Sequence, residues 1–183
     1  MMKEVGNRKG GRKGRDREVR EKREFEQRVI EIARVTRVVK GGKRMRFRAC
    51  VVIGDEKGRV SMAIAKGPDV QIAVNKATNQ AKKKMFLVPM VDGTIPHSLR
   101  IRRHAADILL KPAPKGTGVM AGGALRPVFE VIGLTNVVAK MLGSKSKINN
   151  VKALLEGLRM LKPPKKKRTV KPGAQQTEHT EKK

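Results

Sequence analysis

Arg44, Arg46 and Arg48 alternate with Met45 and Phe47, and this spacing is the clearest chemical signal in the chain. Successive side chains of a strand point to opposite faces, so the three guanidinium groups are expected on one face and Met45, Phe47, Ala49 and Val51 on the other. Guanidinium groups are permanently charged donors suited to phosphate, and the alternation predicts contact with a phosphate backbone. Just before them, Val39-Lys40-Gly41-Gly42-Lys43 reads as a hairpin turn. Its glycines can take positive φ, and its lysines can reach between phosphates with little steric bulk.

A second signal is Lys115-Gly116-Thr117-Gly118-Val119-Met120-Ala121-Gly122-Gly123, which runs toward a helical segment. Glycine amides at a helix N-terminus can hold an anion, so Lys115, Gly116, Thr117, Gly118, Gly122 and Gly123 are candidates for RNA-phosphate contact, with a tight structural turn as the alternative. The stretch also fits a relaxed dinucleotide fingerprint, but Pro112 and Pro114 precede it and no acidic residue lies between Glu130 and Glu156 to hold a ribose. It is similar to the phosphate loop of galactokinase-type kinases as well. That family needs a catalytic base and a second substrate domain, for which this chain has no room.

Catalysis finds no support. Ser144-Lys145-Ser146-Lys147 matches Ser-x-x-Lys, yet it reads better as a helix start capped by Ser146. His97, His104 and His179 lack the paired spacing of a metal site, and no two carboxylates form an acid–base motif. Neither metal nor cofactor is expected. The lone Cys50 lies in the apolar run from Ala49 to Ile53 and reads as a buried small hydrophobe.

The charge balance agrees with the arginine signal. Forty-four Lys and Arg stand against sixteen Asp and Glu, for a net charge of +28. Leaving out residues 1–24 and 165–183 still leaves twenty-seven basic against nine acidic side chains, so the ordered part itself must face a polyanion. Trp and Tyr are absent and there are four Phe, too few rings for base-stacking recognition. Contact is therefore expected with phosphate and sugar. The longest uncharged run, Gly116 to Leu125, is far too short to span a bilayer, and the N-terminus has neither an apolar signal segment nor the acid-poor character of a transit peptide. A cytoplasmic protein with no membrane partner is expected.

These residues must be positioned by two small α+β units. Residues 1–24 read as a flexible basic arm. Over 25–88, strands are expected from about Val29 to Val39, from Arg44 onward, and around Val60, Met62 and Ile64. The start of the first is ambiguous, because Phe25, Val29, Ile32 and Ala33 could also share one side of a helix. A helix opening at Gly67-Pro68-Asp69 would bury Val70, Ala73, Val74, Ala77 and Ala81, giving a three-stranded antiparallel sheet backed by one helix. Over 89–162, strands are expected at about Thr94–Ile101, Ala106–Lys111 and Val137–Leu142. Helices should run from Leu125 to a stop at Gly133 and from Ser146 through Leu161. Residues 163–183 read as a basic mobile tail.

Arg37-Val-Val-Lys-Gly-Gly-Lys-Arg-Met-Arg-Phe-Arg48, Val52-Ile-Gly-Asp55, Gly58-Arg-Val60 and Ala65-Lys-Gly-Pro68 form one set of signatures. Gly93-Thr-Ile-Pro-His97, Lys111-Pro-Ala-Pro-Lys-Gly-Thr-Gly118 and Ala121-Gly-Gly123 continue it, colinearly over about 25–162. In these stretches the chain resembles the bacterial small-subunit ribosomal protein S5 family. The resemblance implies a divergent double-stranded-RNA-binding-like domain followed by an α+β domain with a left-handed βαβ unit. It also implies a structural role at the neck between body and head of the small subunit, where family members bind small-subunit (16S) ribosomal RNA and adjoin ribosomal proteins S4 and S8. Support of decoding accuracy, proximity to the messenger RNA entry, and approach of the tip at Val39–Lys43 to the spectinomycin site complete the implied role. Arg37, Arg59 and Lys66, within these signatures, join the expected RNA-contacting set, and Arg100, Arg102 and Arg103 are candidates for a protein interface. The sequence departs from the family where Ser146-Lys147 replaces a common Asn-Pro pair before Ile148-Asn149. Two other readings compete with this one: a free double-stranded-RNA-binding regulator, and a phosphotransferase using the loop from Gly116 to Gly123.

Overall fold

The computed structural model describes residues 25–163. The basic arm over 1–24 and the tail beyond 163 lie outside those residues. Among the described residues, two four-stranded sheets and three helices make a mixed α+β fold.

The first sheet has the order β1 (Glu26–Val39), β2 (Gly42–Gly54), β3 (Arg59–Gly67), β4 (Phe86–Leu87), with every pairing antiparallel. The two-residue β4 is an addition to the expected three strands. Helix α1 (Val70–Lys82) lies on one face, where Ala73, Ala77 and Ala81 meet Ala49, Val51, Ile53, Ala63 and Ala65. Alanine on both sides lets helix and sheet approach closely. Pro68 precedes the helix, with Asp69 at the N-cap position, rather than occupying its first turn.

β1 starts earlier than expected, and a bulge explains why its start is ambiguous in the sequence. The register slips between Val29, opposite Val51, and Glu31, opposite Cys50. The extra residue, Ile30, packs into the larger core. Because the bulge reverses the alternation, Val29 and Ile32 fall on one face, a three-residue spacing that mimics a helix.

The second sheet has the order β5-β6-β8-β7, built from β5 (Leu99–Arg103), β6 (Ala106–Pro112), β7 (Val119–Met120) and β8 (Val137–Met141). β7 runs parallel to β8 and α2 (Arg126–Ile132) connects them, forming a βαβ unit. Gly133 ends α2 at φ +89, as its position after the apolar run predicts. The strand expected from Thr94 begins only at Leu99. Asp92 and Gly93 take positive φ and close a turn that pairs Val91 with Thr94, and Pro96 has no N–H to offer a ladder. Helix α3 (Lys147–Met160) packs on β5 and β6. Ser146 holds the N-cap backbone position, but its hydroxyl makes no capping bond, contrary to expectation.

One apolar cluster crosses from the first sheet to the second half of the chain. Val52, Val60 and Val88 share it with Leu125, Phe129, Ile132, Leu154 and Leu158. Backbone bonds reinforce the seam, because the amides of Glu56 and Gly58 donate to the Val131 and Ile132 carbonyls at the end of α2. The turn of one half thereby satisfies helix-terminal acceptors of the other.

Candidate nucleic-acid interface

β3 pairs with β2 only as far as Gly67 opposite Phe47, whereas β1 and β2 continue together to Val39 opposite Gly42. A two-stranded ribbon therefore projects beyond the sheet, closed by Lys40 and Gly41. Gly41 and Gly42 have φ of +135° and +149°, conformations that favour glycine, and a Cβ on either would meet nothing within 4 Å. Arg37, Lys40, Lys43, Arg44 and Arg46 are all exposed, and no carboxylate lies between Ile32 and Arg48. Directly opposed strand residues share a face, so Arg37 and Arg44 stand side by side, with Arg46 further along the same face. Like charges in such a cross-strand pair repel, and an anion laid along the ribbon removes that penalty.

The apolar side of the alternation does not reach the core here. Met45 lies opposite Thr36, beyond the third strand, and is 56% exposed. The arginine side divides as well. Arg48 is half-buried and faces α3 across a cleft, and its Nε is enclosed without a hydrogen-bond partner. Further toward the base of β2, Cys50 and Val52 on the same face are buried, Val52 in the core shared with the second half.

Lys66 is exposed directly opposite Arg48. Arg59 stands at the other end of β3, seven residues or about 23 Å away, so it does not join the ribbon set. It lies 3.8 Å from the Asp55 carboxylate, which also accepts the Arg59 and Lys57 amides and shapes the turn.

The glycine-rich loop corrects the expected anion cradle. The amides of Gly116 and Gly118 both donate to Asn136 Oδ1, at 3.0 and 3.2 Å, and the Thr117 amide donates to the Pro114 carbonyl. These donors are already used internally. The following helix has only seven residues and starts after Gly122, whose carbonyl accepts the Leu125 and Arg126 amides. Gly118 has φ +75, so glycine is needed there for its conformation. At Gly122 a Cβ would meet the Met141 side chain. Lys115, Gly116, Thr117 and Gly123 remain exposed. Asn136, 8% exposed, is the organising residue that the sequence does not single out. Its only signal is one amide side chain between the apolar stretches 131–134 and 137–139.

Arg100 makes two hydrogen bonds to the Asp107 carboxylate and forms an ion pair with it at 2.7 Å, which holds that carboxyl below its ordinary range. Arg103 pairs with Glu156 at 2.8 Å. Of the three candidates for a protein interface, Arg102 alone makes no ion pair among the described residues. Burial, with Glu31 nearby, pushes the Cys50 thiol up to about 11. No group of three or more His, Cys, Asp or Glu able to hold a metal occurs among the described residues, and none of their helices is long and apolar enough to cross a membrane.

Comparison with family models gives two matches. One, described as ribosomal protein S5, N-terminal domain, matches residues 25–89. The other, described as ribosomal protein S5, C-terminal domain, matches residues 102–170.

Proposed function

Since the chain belongs to the ribosomal protein S5 family and is thus a small-subunit ribosomal protein, we propose that its projecting ribbon anchors it to ribosomal RNA near the neck between body and head. The observation that carries this reading is the ribbon itself, a cationic extension beyond the packed sheet with Arg37 beside Arg44 and no carboxylate between Ile32 and Arg48. Arg37, Lys40, Lys43, Arg44 and Arg46 bind phosphate, and Gly41 and Gly42 keep the tip slim enough to enter between RNA strands. Lys66 and Arg48 extend the contact toward the sheet. Arg59 and the outer surface of the glycine-rich loop, led by Lys115, contribute separate contacts.

On the same reading, residues 25–88 form a divergent double-stranded-RNA-binding-like domain and 89–162 a second domain whose βαβ unit is left-handed. The protein acts as a structural constituent in the cytoplasm, supports assembly and decoding accuracy, adjoins S4 and S8, and lies near the messenger RNA entry. Arg102 is the residue of its trio best suited to a protein neighbour.

The test is the salt dependence of binding to small-subunit ribosomal RNA. Replacing Arg44 and Arg46 by Gln should lower affinity and reduce the slope of log affinity against log salt by roughly one unit for each phosphate no longer neutralised. An unchanged slope in the folded double variant refutes the ribbon as the anchor.

A further inference from the structure

The cleft between the first sheet and the start of α3 has a volume of about 430 Å³ and is lined by four cations from two separate elements. Arg48 rises from β2, Lys145 and Lys147 flank the helix start, and Lys152 lies one turn on. Among the described residues, Glu31 is the sole carboxylate in this lining and none of the four cations makes an ion pair. Arg48 as a whole is half-buried in this lining, and its Nε is enclosed without a hydrogen-bond partner. Lys145 and Lys147 sit where a helix dipole disfavours cations, and the first turn of α3 contains no acid. Ser146 leaves the first-turn amides without a side-chain acceptor. Neither the fold nor the dipole accounts for gathering positive charge at this point, whereas a bound anion offsets that charge and accepts from the first-turn amides.

We propose that this cleft is a phosphate-binding site, filled in the assembled particle by a phosphodiester of the RNA. The identity of the source rests on the RNA-anchoring reading above; the phosphate chemistry does not. The Arg48 guanidinium supplies directional donors, the lysines supply charge, and the amides at the start of α3 close the site. The volume admits a phosphate together with part of a flanking ribose.

The test uses the full chain, with amide NMR shifts and RNA binding as readouts. Inorganic phosphate should shift the amides of Lys147, Ile148 and Asn149, and RNA should shift the same amides and compete with phosphate. Lys147→Glu places a carboxylate at the helix N-terminus, so it should raise Tm while abolishing the phosphate-induced shifts and lowering the salt slope of RNA binding. Loss of binding together with a gain in stability separates a ligand site from a folding defect. Lys152→Gln should weaken the shifts without raising Tm. If those amides respond to neither phosphate nor RNA while the Arg44/Arg46 variant still reduces the slope, the cleft proposal fails and the ribbon reading stands. If the wild-type chain shows no salt-dependent RNA binding, the ribbon reading fails. Phosphate-induced shifts would then assign the cleft to free phosphate, and their absence would overturn it altogether.

Discussion

At Cys50, packing decides reactivity. The thiol is 1% exposed and raised to about 11, first by burial and then by Glu31. It should resist alkylation at pH 8 in the folded protein and react only as fast as the protein opens, which iodoacetamide labelling across a urea series will measure. The folded state favours the neutral thiol. Its contribution to stability is therefore complete below the ordinary value of 9.0 and is lost as pH rises from there toward 11. Asn136 holds a whole loop through one side chain. Removing its carboxamide in Asn136→Ala strips the acceptor from the Gly116 and Gly118 amides, and should cost about 1–3 kcal/mol. The loop should become more open to proteolysis, and equilibrium unfolding with limited digestion checks both effects.

The elements differ in how much change they tolerate. The interface of α1 with the sheet sets three buried alanines against Ala49, Val51, Ile53, Ala63 and Ala65, so Ala77→Leu has no room and should destabilise by about 1–3 kcal/mol in thermal unfolding. The ribbon behaves in the opposite way. Its residues from Thr36 to Met45 pair only with one another, and Val38 is 74% exposed. Trimming the ribbon between those points should leave Tm almost unchanged and sharply reduce affinity for ribosomal RNA. Subunits carrying the shortened tip, or lacking Lys40 alone, should still assemble but differ from wild type in translocation rate and spectinomycin response. A trimmed protein that binds RNA as tightly as the parent would remove the ribbon from the mechanism.

For the whole molecule, the seam matters most. Gly133 has positive φ, and a Cβ there would meet the backbone of Glu56, in the turn that bonds to the end of α2. Gly133→Ala must therefore both strain α2's terminus and push the two halves apart, at an expected cost of about 2–4 kcal/mol. Because one apolar cluster spans both halves, the variant should still unfold in a single cooperative step, with probes in each half reporting the same lowered midpoint. Separate transitions would show that the shared core does not couple them.

Charge, period and glycine position are local properties of the chain, so the polyanion partner, the alternating strand at 44–48, the helix stop at Gly133 and the family are all legible before folding is considered. The start of β1 is not, since a bulge turns a period of two into a spacing of three. The alternation also presents Arg44, Arg46 and Arg48 as one set. Folding divides them, because β3 ends opposite Phe47 while α3, from far along the chain, arrives beside Arg48. The same holds for the glycine-rich loop. Its composition suggests free amides, but those of Gly116 and Gly118 are taken by Asn136, a partner that folding alone brings within reach. Burial and hydrogen bonding depend on which distant segments meet, and no local pattern carries that information.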